Sequence, residues 1–177
     1  MTKQSKTTPN GFTLIELLVV ISITVVLMLT ASILFMTFLI SNAKISSSQL
    51  VKQEGQYTLN QIEFLLRNAV EILPNSYGYE CVAGMTEIRF RSFDNGTTTI
   101  WVEDDGGVGK IASNSGQYFT SDAVEVTGIN FDCSQSNDES HPHVNITFSL
   151  RRGTPGVDQD REIVEETFTT STTIRSL

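Results

Sequence analysis

Residues 8–44 read TPNGFTLIELLVVISITVVLMLTASILFMTFLISNAK, and from Phe12 to Ile40 the only charged side chain is Glu16. A transmembrane helix needs about 20 apolar residues, and this run exceeds that. As a helix it would span roughly 40 Å at about 1.5 Å per residue. It is too long for the apolar core of a secretory signal peptide, which runs to about 7–15 residues. Lys3 and Lys6 precede it, so the positive-inside tendency holds the N-terminus in the cytoplasm and exports the remainder of the chain. Glu16 does not fit a plain anchor. A carboxylate at the centre of a membrane helix costs about 3 kcal/mol, less near an end, and marks a functional position by default. At the interface it would do no more than favour the helix N-terminus.

The residues around Glu16 decide between these readings. Gly11 to Glu16 reads GFTLIE, behind a short polar leader with two lysines and ahead of LLVVISI. This resembles the class III signal of the type IV pilin and type II secretion pseudopilin families. The resemblance implies cleavage by a prepilin peptidase between Gly11 and Phe12, methylation of the new Phe12 amine, and retention of the apolar helix in the mature chain. It makes Glu16 the fifth mature residue. Ammonium and carboxylate are each costly to bury alone, and each offsets much of the other's desolvation when paired. The expectation is that Glu16 meets the Phe12 amine of a neighbouring subunit and sets filament register. The partners so implied are other pilin or pseudopilin subunits, the prepilin peptidase, an inner-membrane assembly platform, and lipid before assembly. The location implied is a single-pass bacterial inner-membrane protein, with its head outside the cytoplasm, that later enters a filament. Thr24–Phe38 has none of the glycine or proline that many pilins carry there, so a continuous helix is expected.

Beyond Ile40 the chain turns polar, and Ile62, Leu66, Ala69 and Leu73 recur at i, i+4, i+7 and i+11. This predicts helix to Leu73, loosened at Gly55 and stopped by Pro74-Asn75. Glu63 and Arg67 form an i, i+4 pair in the favourable order.

From Glu87 the pattern becomes that of strands. Expected strands are 87–93, 97–103, 108–112, 117–121, 124–131 with a bulge at Thr127-Gly128, 144–150 and 161–175. Turns fall at Asp94-Asn95-Gly96 and Asp104–Gly107, and loops at 134–143 and 153–160. The fold class is α+β, a long N-terminal helix packed on an antiparallel sheet. The domains are a leader at 1–11, a membrane and filament-core helix at 12–40, an amphipathic helix at 41–74 and a β-rich head at 75–177. The closing TFTTSTTIRSL and the helical spine resemble minor subunits of such filaments.

Cys81 and Cys133 are the two cysteines, and an even count in an exported domain points to one disulfide. The formal net charge of −8 argues against nucleic-acid binding through phosphates. No cofactor or metal is expected. His141-Pro142-His143 reads as loop; Asp104-Asp105 and Asp158-Gln159-Asp160 lack the ligand spacing of a calcium loop. Gly106–Gly109 lacks the lysine and context of a phosphate loop. Asn95-Gly-Thr97 and Asn145-Ile-Thr147 fit a glycan acceptor pattern that means little in a bacterial chain. No serine, cysteine or histidine has a catalytic partner, so the reading is a non-enzymatic filament subunit. The rival is a membrane-anchored extracytoplasmic binding or adhesin domain that never polymerises.

Overall fold

A computed structural model describes residues 11–135, 141–154, 156 and 163–174. The architecture is α+β: helix α1 (Leu14–Arg67) followed by seven antiparallel strands. The chain divides into two compact units between Asn42 and Ala43.

In the first unit α1 is unbroken, and every described side chain is exposed. The hydroxyls from Ser22 to Thr37 are satisfied locally. Ser22, Thr24, Thr30, Ser32 and Thr37 each donate to a carbonyl three or four residues back, at 2.8–3.2 Å. A segment in lipid has no water to do this. It is the one helix among the described residues long and apolar enough to cross a membrane.

In the second unit α1 buries Val51, Gly55, Thr58, Leu59, Ile62 and Leu66, spacings that put all six on one face. Gly55 is not a loose point. The Phe168 ring lies over it, and a Cβ there would come within 2.1 Å of the ring. Thr58 Oγ1 donates to the Phe119 carbonyl at 2.9 Å in the core. The Glu63–Arg67 pair forms at 3.2 Å, and Glu63 also accepts from Thr170 Oγ1 at 3.3 Å.

The helix ends at Arg67, short of the expected Leu73. Asn68 turns the chain: its amide reaches Phe64 O at 3.3 Å and Leu65 O at 3.2 Å, and its side chain also donates to Phe64 O. Ala69–Leu73 is strand β1. A register shift between Ala69 and Glu71 lets Ala69 and Ile72 both face inward, which imitates helical spacing. The β-branched Val70 and Ile72 suit a strand, and Arg91 pairs with Glu71 at 3.1 Å.

The strands form two sheets, where a single sheet was expected. One has the order β1-β2-β3-β4, with β2 at Ile88–Ser92, β3 at Thr97–Asp105 and β4 at Val108–Ser113. The other has the order β5-β6-β7, with β5 at Glu125–Ser134, β6 at His143–Arg152 and β7 at Val164–Thr173. β4 and β5 meet closely at Gly109, where a Cβ would lie 2.5 Å from the Val126 carbonyl oxygen. The expected strand at 117–121 is only an isolated bridge, Ala112 to Tyr118; the hydroxyl of Thr120 takes up the Ile111 amide instead. The bulge at Thr127 is present, between Val126 and Gly128.

Both early turns form. In the first, Asn95 alone takes positive φ, at 63°, so the turn is wider than a two-residue Asn-Gly hairpin. In the second, Gly106 and Gly107 both do so, as a two-residue primed turn requires. The core is built from both sheets and the helix, with Phe90, Phe131, Phe148 and Ile62 among its fully buried side chains. The expectations for 1–10, 136–140 and 157–162, which include Asp158-Gln159-Asp160 and the start of the last strand, lie outside the described residues.

Candidate functional site

The N-terminal site is built on the first turn of α1. Gly11, Phe12 and Thr13 precede the helix. Thr13 is its N-cap: Thr13 Oγ1 accepts the Glu16 amide at 3.4 Å, and the Thr13 carbonyl accepts the Leu17 amide at 3.3 Å. Thr13-Leu-Ile-Glu16 has the S/T-x-x-E form of a capping box, of which the threonine half is made. Sequence reasoning passed over Thr13, although that spacing was in plain view. The cap fixes where the helix begins, and so fixes the distance from Phe12 to Glu16 along the chain.

Phe12 is 83% exposed, and a Cβ at Gly11 would meet nothing within 4 Å. Glu16 lies in the first turn, where the positive end of the helix dipole favours a carboxylate. Between Leu14 and Ile40 every other polar side chain is hydrogen-bonded to its own helix. Glu16 is the exception, so any partner its carboxylate has in an apolar setting must come from outside this helix.

Cys81 and Cys133 are joined in a disulfide, with Cα atoms 4.9 Å apart. The bond ties the 74–87 loop to β5. The Cys133 amide donates to Val82 O at 3.0 Å, Gly84 N to Asp132 Oδ1 at 2.8 Å, and Met85 and Phe131 exchange backbone hydrogen bonds. At the loop's start, buried Asn75 accepts the amides of Tyr77 and Tyr79, each at 3.0 Å.

Among the described residues no three His, Cys, Asp or Glu side chains converge as metal ligands. Asp104 instead closes its turn by accepting the Gly107 amide at 2.6 Å. A charged cluster that the sequence did not reveal gathers on Lys110. Its ammonium donates to Asp105 at 2.6 Å and to Asp122, and sits 4.9 Å from the centre of the Tyr118 ring. The hydrogen bonds to Asp105 and then Asp122 push the Lys110 pKa up, against partial desolvation. Desolvation, followed by the charge of Glu103, pushes the Tyr118 phenol up as well. All of these groups lie between Glu103 and Asp122, but hydrophobic periodicity does not register a lysine facing its own strand's hairpin.

No curated protein and no solved structure matches the chain. The family model of the prokaryotic N-terminal methylation motif matches residues 8–32. That stretch holds Gly11, Phe12, the Thr13 cap, Glu16 and the first half of the exposed apolar helix. The chain thus carries the class III signal of type IV pilin-like and pseudopilin chains, the substrates of prepilin peptidase.

Proposed function

We propose that the chain is a non-enzymatic filament subunit, cut after Gly11, methylated on Phe12 and polymerised through α1. The observation that carries this is the carboxylate of Glu16, which has no partner among the described residues, in a stretch from Leu14 to Ile40 whose other polar side chains all bond to their own helix. In lipid or in a filament core, such a charge costs about 3 kcal/mol near the centre unless a cation meets it. The Phe12 ammonium of an adjacent subunit is the cation that cleavage after Gly11 creates. A subunit in the wrong register leaves both charges unpaired, so the pair selects register more than it adds net stability.

Before assembly the helix holds the chain in the inner membrane, with Lys3 and Lys6 on the cytoplasmic side. The disulfide-bearing head then lies in an oxidising compartment. Its partners are the prepilin peptidase, the assembly platform and other pilin-like subunits. The resemblance of its C-terminal segment to minor subunits favours a tip or initiating role over that of the bulk subunit.

Intact-mass measurement of the membrane-extracted chain tests processing. The expected species lacks Met1–Gly11 and has gained one methyl group on Phe12. A chain that keeps its leader would instead be a membrane-anchored head domain that does not polymerise.

A further inference from the structure

A cleft of about 520 Å³ opens in the second unit, between α1 and the 113–119 segment. Tyr57, Asn60, Gln61 and Phe64 project into it from the helix, and Gln117 and Tyr118 from the loop opposite. Tyr57 and Phe64 are 57% and 66% exposed, and Tyr118 is 44% exposed. None of the lining side chains is charged, in a chain with 20 acidic residues.

We propose that this cleft binds a neutral saccharide of two or three rings. A sugar ring has an apolar C–H face that rests on aromatic rings and a rim of hydroxyls that both donate and accept. The cleft offers three exposed aromatic rings, Tyr57, Phe64 and Tyr118, and, besides Asn114, whose amide is already bonded to β3, three amides with the donors and acceptors such a rim needs. The side chains of Asn60, Gln61 and Gln117 make no hydrogen bond among the described residues, so their full capacity is open to a ligand. Its volume falls within the usual range for small-molecule sites, about 300–1,000 Å³. Charge argues the ligand's neutrality: no charged side chain lines the cleft, and the Lys110 ammonium against the Tyr118 ring is already held by Asp105 and Asp122. Strand addition by a peptide is closed off, because backbone of the 117–119 segment already takes the free edge of β4. The Phe119 amide reaches Ile111 O at 2.8 Å, and the Ser113 amide reaches Gln117 O at 3.1 Å. The inference does not rest on the filament reading, since all of these residues lie within the second unit.

The test is saturation-transfer difference NMR on the full chain extracted in a zwitterionic, sugar-free detergent. The probes are maltotriose, triacetylchitotriose, lactose and sialyllactose. At least one neutral probe should show transfer concentrated on the C–H protons of one ring face. Tyr57→Ala and Gln117→Ala should each weaken it at least tenfold. Phe93→Ala, which removes an even more exposed aromatic outside the cleft, should leave it unchanged. All three positions are exposed, and unchanged circular dichroism confirms that the variants fold. Failure of every neutral probe overturns the proposal. So does a preference for sialyllactose over lactose, or equal weakening by Phe93→Ala. Impaired filament formation in Tyr57→Ala without any saccharide binding would assign the cleft to a neighbouring subunit instead.

Discussion

Gly55→Ala tests how the helix is seated on the head. Alanine is the better helix former by about 1 kcal/mol, so an unpacked Gly55 would gain stability from the change. The structure sets a steric cost against that gain. The new Cβ would lie 2.1, 2.3 and 2.4 Å from the Cζ, Cε2 and Cε1 atoms of Phe168, where carbon contacts normally sit at about 3.5–4.0 Å. The ring must therefore retreat by about 1.5 Å. Phe168 is buried and stacked with Phe148 at 5.5 Å between centroids, so the retreat disturbs a second core ring. Overpacking of this kind costs about 1–3 kcal/mol, and the depth of the overlap argues for the upper end. Subtracting the helical gain leaves a net loss of about 2 kcal/mol, or roughly 5–10 °C for a head of this size. Thermal unfolding of the detergent-extracted chain, followed by the fluorescence of its single tryptophan, Trp101, reads this directly. In a Phe168→Leu background the same change should become neutral or stabilising, because the obstructing ring is gone. An equal or higher midpoint for Gly55→Ala in the wild-type background would refute the packing argument.

The head supplies two further predictions. Replacing Cys81 and Cys133 together by serine opens a loop with a sequence separation of 52. Chain entropy alone puts the loss near 4 kcal/mol, so urea unfolding should show a loss of about 2–4 kcal/mol. Proteolytic nicking should appear first in the 74–87 loop, and a variant as resistant as the parent would mean that the hydrogen bonds to β5 suffice. Stability should also fall as pH rises above about 10. The ordinary values of Lys110 and Tyr118 are 10.5 and 10.0, and both are raised on folding. Above those values the unfolded chain releases protons that the folded chain retains, so the unfolded state gains. Midpoints measured from pH 8 to 11.5 should drop, and Lys110→Met with Tyr118→Phe should remove most of that drop; an unchanged slope in the double variant would disprove the assignment.

Much of the fold can be read from residues whose physics is local. The apolar run, the Gly106-Gly107 turn, the bulge at Thr127 and the alternation of Val144, Ile146, Phe148 and Leu150 each carry their own signal. The miss at Ala69–Leu73 has a definite cause. A bulge turns Ala69 and Ile72 to the same side, and that spacing looks helical in a one-dimensional pattern. Only pairing with β2, supplied by residues some twenty positions later, separates the two readings. The division into two sheets was equally hidden, since which strands pair is set by contacts between residues distant in sequence. At the N-terminus the position of Glu16 was legible because one charge in an apolar run stands out. Its isolation was not, because it shows only once every serine and threonine nearby is seen to be satisfied by its own helix. The cleft of amides and rings gave no sequence signal, because its two walls lie some fifty residues apart and none of its residues is unusual alone.

The pairing of Glu16 with a neighbour's Phe12 amine is tested most directly by Glu16→Val. The measurement is the fraction of processed, methylated chain recovered in sheared filaments, against the fraction left in the membrane. The pairing predicts normal cleavage after Gly11 and at least a tenfold fall in the filament fraction. Recovery at wild-type levels would contradict it.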